Sequence, residues 1–256
     1  MKKTSIFSLL IVFVSSWACQ FLGPSRPGTV VSDCSELVSE VSALKPGAIP
    51  EHLLMTRIKR GNEFDVNQYF NVLTHISMQD GYALDYVYQY DSLGGYPLLY
   101  PRPVDQAPYA STEDIPANTE WPDFHEYLDV EDTEQGYFDY VVMDIMEDQF
   151  YLFWHANYND HQIVCNRQQM YDIVAQVSSS EFGNPMDPAQ QAKSRSLRNI
   201  VPVVRLTGDS AEVDVVTFTK WGGFDRLTYT ISREAPHKII DIKQENILPY
   251  DCGVVF

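Results

Sequence analysis

The residues best equipped for chemistry fall into three groups. The densest is Trp154-His155-Ala156-Asn157-Tyr158-Asn159-Asp160-His161. A three-residue loop at Asn157 to Asn159 would set the two imidazoles face to face, as a metal or general-base site requires. A two- or four-residue turn sends them to opposite faces of a sheet and leaves Trp154 in the core. Even-length turns are commoner, so an Asn/Asp-rich hairpin is expected. The second group is carboxylate. Asp85 and Asp144 lie inside strand-like patterns and are the type a hydrolase pairs ~5–10 Å apart with one pKa raised. Asp144 or His155 would be the acid/base of such a pocket. Asp214 is similar, with Ile231 as its predicted cross-strand partner. The third group is tyrosine: Tyr82, Tyr86, Tyr88 and Tyr90 share one face of a predicted strand, and Tyr96, Tyr100 and Tyr109 follow. Flat rings with polar tips suit sugar or peptide surfaces. The competing arrangement is an amphipathic sheet face roofed by the Pro-rich segment that comes next.

Several catalytic signatures are missing. There is no GxSxG elbow, P-loop, HExxH or GxGxxG after a strand. The acidic run Asp129 to Gly136 looks like a calcium loop, because counting from Glu131 puts Gly136 at position six. Position twelve is then Val142 instead of the bidentate Glu the ion needs, so a solvated acidic turn is expected. No metal or cofactor is expected.

The elements that must position these groups follow from periodicity and punctuation. Asp33 opens a helix to about Leu44, ended by Pro46-Gly47. Asp65-Val66-Asn67-Gln68 opens a second, with Val66, Tyr69, Phe70, Leu73 and Ile76 at helical spacing, stopped by Asp80-Gly81. Tyr82 to Tyr90 alternates as a strand, Gly94-Gly95 turns it, and Tyr96 to Tyr100 returns. Residues 101–122 carry Pro101, Pro103, Pro108, Pro116 and Pro122 and read as a long irregular wrap, or a lid over a site. Tyr137 to Met146 and Gln149 to Ala156 read as two central strands around a Glu147-Asp148 turn, since apolar residues occupy both faces. His161 to Cys165 continues the sheet, and helices follow at Arg167 to about Ser180 and Pro188 to Arg198.

The last third reads as an antiparallel meander. Trp221-Gly222-Gly223-Phe224 is a hairpin tip that places Lys220 opposite Asp225, Phe218 opposite Leu227, Val216 opposite Tyr229 and Glu212 opposite Arg233. Gly208-Asp209 turns the preceding strand, setting Arg205 against Glu212. After Pro236, Lys238 to Lys243 adds a fourth strand with Ile240 and Ile242 on one face. The fold class is α+β, helices packed on antiparallel meander sheets. From about Arg167 to Leu248 the order of elements resembles the NTF2-like and cystatin-like architectures. That resemblance implies a cone-shaped cavity and carries no function.

The N-terminus speaks to address. Met1-Lys2-Lys3, an apolar run from Ile6 to Val14 and Ser15-Ser16-Trp17-Ala18-Cys19 have the form of a secretory signal peptide over 1–18. Ser16-Trp17-Ala18 suits ordinary signal peptidase. Ala18-Cys19 also resembles the end of a bacterial lipobox, which implies lipidation of Cys19, the reading favoured here. Ser16 and Trp17 depart from that pattern. Residues 19–32 then form a flexible tether, and 33–256 a single α+β domain or two packed halves, 33–165 and 166–256. With Cys19 acylated, Cys34, Cys165 and Cys252 allow one disulfide, expected between Cys34 and Cys252, with three buried thiols as the alternative.

Composition bounds the partners. The chain has 256 residues, 45% of them apolar, and a formal charge of −17. Losing Lys2 and Lys3 with the leader leaves 16 basic against 35 acidic residues, or −19. Such a balance excludes a duplex nucleic-acid partner. The expectation is an exported, membrane-anchored module without catalysis, presenting Tyr86, Tyr88 and Tyr90 to a glycan, peptide or envelope protein. It would meet the membrane only through its lipid. The alternative is an extracytoplasmic hydrolase with a carboxylate/His pocket in the sheet.

Overall fold

Strands rich in β-branched and aromatic residues in the C-terminal third build the sheet on which the rest packs. A computed structural model describes residues 28–91, 93–117, 121–181 and 183–255. These form β1 (Thr29–Val30), α1 (Cys34–Leu44), α2 (Glu51–Thr56), β2 (Ile76–Met78), β3 (Tyr82–Asp91), β4 (Gly94–Pro103), β5 (Leu128–Val130), α3 (Glu134–Met146), β6 (Phe153–Trp154) and β7 (Gln162–Ile163). There follow α4 (Arg167–Ser178), α5 (Pro188–Ser196), β8 (Val203–Leu206), β9 (Ser210–Thr219), β10 (Gly223–Ser232) and β11 (Ile239–Pro249). The result is an α+β fold of helices on antiparallel sheets.

The main sheet runs β1-β8-β9-β10-β11, with β7 also pairing β9. Strand alternation sends Ala211, Val213 and Val215 of β9 into a large core with α3, and Val216 and Phe218 into a second core with α4. The β3–β4 hairpin and β6 form a separate three-stranded sheet, and β2 pairs β5. The hairpin's Leu84, Tyr86, Tyr88 and Leu99 join the large core. Among the described residues no helix is long and apolar enough to cross a membrane.

The structure corrects several expectations. Tyr137 to Met146 is the body of α3, not a strand, and every residue from Gly136 to Met143 is buried. A helix enclosed on all sides has no polar stripe, so its 3.6-residue period disappears and its aromatic and β-branched content imitates a central strand. Thr133, whose side chain accepts from the Gly136 amide, caps its start. Glu147-Asp148 lies at its exit. Of the expected second strand only Phe153–Trp154 pairs, with Gly95 and Gly94. The expected helix after Asp65 is a 3-10 turn, Val66–Asn71, capped by Asp65, after which the chain enters β2.

The β9–β10 register is shifted by three residues. Phe224 faces Phe218, Arg226 faces Val216, Tyr229 faces Val213 and Thr230 faces Glu212, so the connection is Lys220-Trp221-Gly222. Asp214 meets Thr228 instead of Ile231. Gly223 belongs to the strand with φ +90°, where a Cβ would run into the Leu248 carbonyl and the Tyr250 amide. Contact with the end of β11 therefore selects the register, against the charge pairing that hairpin rules favoured. Arg205 does face Glu212.

Residues 1–18, Cys19 and the tether as far as Pro27 lie outside the described residues. The tether's end is ordered pairing: Thr29 and Val30 oppose Val204 and Val203 of β8. The disulfide joins Cys34 to Cys165, and Cys252 is a buried free thiol. The sheet itself explains the correction. Cys34 and Cys165 lie in the core on the α3 side, whereas the C-terminal tail carries Cys252 into the other core.

Candidate functional site

A cleft of about 490 Å³ opens on one side of the described residues. It lies between the segment after α2, the start of β3 with the end of β4, and the Pro-rich segment, and its volume falls in the ordinary range for small-ligand pockets. The Pro-rich segment is its wall, through Pro108, Tyr109 and Ala110. Three hydrogen bonds fasten that wall: the Tyr109 amide to the Tyr100 hydroxyl at 2.9 Å, the Lys59 amide to the Ala110 carbonyl at 2.8 Å, and Arg102 Nη1 to the Gln106 carbonyl at 2.6 Å. Burial pushes the Tyr100 hydroxyl pKa up to about 12, so it stays a neutral acceptor for the Tyr109 amide.

Charge in the cleft is organised around Asp85. Its Oδ1 receives Lys59 Nζ at 2.5 Å and the Tyr86 amide at 2.8 Å, and its Oδ2 receives Arg102 Nε at 2.9 Å. Lys59 also lies over the Tyr86 ring, 4.5 Å from its centroid. Two part-buried cations thus share one carboxylate. Lys59 retains two N–H groups and Arg102 its Nη2 group beyond these bonds. Arg60 adds an exposed guanidinium to the lining. The other carboxylates of the lining are engaged locally. Glu63 accepts from the amides of Arg60, Gly61 and Asn62 and from His52. Burial pushes its carboxyl up, but these bonds together hold it below the usual range. Asp65 Oδ1 is occupied by the Asn67 amide and side chain.

The tyrosine stripe is not a surface. Tyr86 and Tyr88 are 2% and 0% exposed, because that strand face turns into the core against Phe150 and the Tyr151 carbonyl. Tyr90 is half-buried beneath Arg57. The Tyr86 hydroxyl is buried with no hydrogen-bond partner beside the cleft, and burial holds its pKa far above the ordinary value.

The hydrolase candidates are given separate surroundings. His155 belongs to a 3-10 turn, His155–Asn159, and stacks on Trp154 at 5.0 Å, with Tyr158 at 5.5 Å. Tyr158 meets Trp221 edge-on at 86°, so these rings do not form one flat platform. His161 lines another groove, with Lys45 and Gln149. Asp144 lies on α3, where its Oδ2 accepts from the Tyr229 hydroxyl at 2.7 Å. Its imidazole neighbour is one that sequence reasoning missed, His125.

His125 Nδ1 is 2.8 Å from Asp123 Oδ1, and its Nε2 lies 3.5 Å from both Asp144 Oδ1 and Glu147 Oε2. His125 Nε2 and Glu147 Oε2 are buried without hydrogen-bond partners. Among the described residues no group of three His, Cys, Asp or Glu side chains is arranged to hold a metal. Burial, then the nearby Asp144, Asp148 and Asp123, push the Glu147 carboxyl well above its usual value of 4.5. The native state therefore holds this proton more tightly than the unfolded chain does, and stability falls as pH rises from the ordinary carboxyl range through the raised native value. Glu147→Gln is expected to stabilise the fold at pH 7 by about 1–2 kcal/mol, with the gain vanishing near pH 4. Denaturant titrations at both pH values measure this, and a loss of stability at pH 7 would show that the ionised form is the one stabilised.

The chain matches no protein-family model, no curated protein and no solved structure.

Proposed function

We propose that this protein is an exported binding module without catalysis, and that the cleft around Asp85 seats a small ligand bearing a carboxylate or phosphate. The carrying observation is that Lys59 and Arg102 share the single carboxylate of Asp85 at the cleft wall, leaving N–H donors that an oxyanion would satisfy. The lining sets Lys59, Arg60 and Arg102 against Glu63, Asp65 and Asp85, so on a chain of −17 the cleft is locally neutral and repels an anion less than the rest of the surface does. Export rests on the leader at 1–18, anchoring on acylation of Cys19, and both agree with a fold held by a disulfide. Glycan, peptide or envelope partners remain compatible where they carry an acidic group. The seat lies at β3–β4 instead of in the cone implied by the NTF2-like and cystatin-like resemblance. The hydrolase alternative draws on His125, Asp144 and Glu147, but the adjoining recess of about 110 Å³ is well below the roughly 300 Å³ at which ligand pockets begin.

Titration calorimetry with succinate, inorganic phosphate and neutral glucose tests the reading. Succinate or phosphate is expected to bind and glucose is not. Lys59→Met is expected to weaken anion binding about tenfold or more. Equal affinity for glucose, or anion binding indifferent to Lys59→Met, would overturn the assignment. The stronger of the two anions identifies which oxyanion the cleft prefers.

A further inference from the structure

We infer that β11 is a dimerisation edge, through which two copies of this chain join antiparallel about a two-fold axis at Ile242, making one continuous sheet. β11 ends the main sheet, and among the described residues no strand pairs with its outer side. Every residue from Ile240 to Asn246 is exposed, with Ile240 at 63% and Ile242 at 44%. A strand with an open row of amides and carbonyls is a template for another strand.

The strand's own order of residues selects its partner. In a regular antiparallel pair, residues turning their amide and carbonyl outward alternate, and an outward residue meets an outward residue. A symmetric pair must therefore be centred on a residue that faces itself. Centres at Asp241, Lys243 or Glu245 put like charges opposite one another. A centre at Ile242 puts Ile242 against Ile242 and Asp241 against Lys243 twice, all within the regular stretch that begins at Asp241. The two exposed Ile242 side chains then lie directly opposite one another.

A centre at Gln244 also pairs opposite charges, Lys243 with Glu245, but it sets the exposed Ile242 against the polar Asn246. It would also compete for Glu245, which Arg226 already holds at 3.2 Å. Asp241 and Lys243, by contrast, have no ion-pair partner among the described residues. Register shifts against β10 flank the stretch from Asp241 to Asn246, which keeps the open ladder short. A short ladder suits a short self-complementary partner better than a long foreign strand.

Sedimentation equilibrium of the purified full-length protein tests this, since substitutions at these exposed positions leave the cores untouched. A monomer–dimer equilibrium is expected. Lys243→Asp is expected to raise its dissociation constant about tenfold or more by setting Asp241 against the new carboxylate, and the exchange Asp241→Lys with Lys243→Asp is expected to restore it. In a Cys252→Ala background, Ile242→Cys is expected to form an intermolecular disulfide on oxidation, and Gln244→Cys is not. A protein that stays monomeric at millimolar concentration, a charge exchange that fails to rescue, or cross-linking through Gln244→Cys in place of Ile242→Cys would each overturn the inference.

Discussion

Replacing both Cys34 and Cys165 by serine is expected to destabilise the protein by about 3–5 kcal/mol and lower its melting temperature by roughly 10 °C. The bridge spans 131 residues of sequence, so breaking it returns the conformational freedom of a long loop to the unfolded chain. It also joins the first turn of α1 to the segment that leads into α4, two elements otherwise linked only by side-chain packing and by bonds such as Asn166 Nδ2 to Ser35 Oγ at 2.8 Å. Thermal unfolding under oxidising conditions measures the effect. Cys252→Ala removes one buried sulfur from the smaller core and is expected to cost about 1–2 kcal/mol. Peptide mapping without reduction supplies the independent check. A linked peptide containing Cys252, or a double variant that melts with the native protein, would contradict the pairing.

The second large effect is expected at Asp85. Asp85→Ala leaves Lys59 and Arg102 as part-buried neighbouring cations without their shared carboxylate, a loss of about 3–5 kcal/mol. Asp85→Asn keeps the side chain's shape and an acceptor oxygen, so its loss should be smaller. The binding proposal adds a sharper expectation. An oxyanion entering the cleft of the alanine variant would take the place of the missing carboxylate, so succinate or phosphate should raise its melting temperature more than that of the native protein. Equal shifts in both proteins would separate a purely structural ion triad from a ligand seat.

The β3–β4 hairpin shows how far linear reasoning reaches. Tyr82 to Tyr90 and Tyr96 to Tyr100 announce their strands by alternation, and Asp85 lies within the first as expected. Which face of the hairpin meets water is another matter, because apolar residues occupy both faces of β3 and Tyr86 is buried by remote residues such as Phe150, which meets it edge-on. The cleft depends on residues from three segments, Lys59, Asp85 with Arg102, and Tyr109, and no local spacing relates them. A weak signal existed: Lys59-Arg60 and Arg102 are basic residues in a strongly acidic chain. His125 carried none, since its companions Asp144 and Glu147 seemed to belong to a hairpin, and only the helical spacing of three residues puts both carboxylates on one side of α3.

Composition, punctuation and period therefore determined the class of fold, α1, α4, α5, β3 and the order of the C-terminal meander, because those properties are written within a few neighbouring residues. Burial decided the rest. α3 hides its period by being enclosed on every side, and the β9–β10 register yields to the end of β11 pressing on Gly223. The disulfide follows from which face of the main sheet each cysteine reaches, and the Asp85 cleft from where three distant segments meet. Each of these is a contact between parts remote in sequence, and its energy exists only once the chain has closed around it.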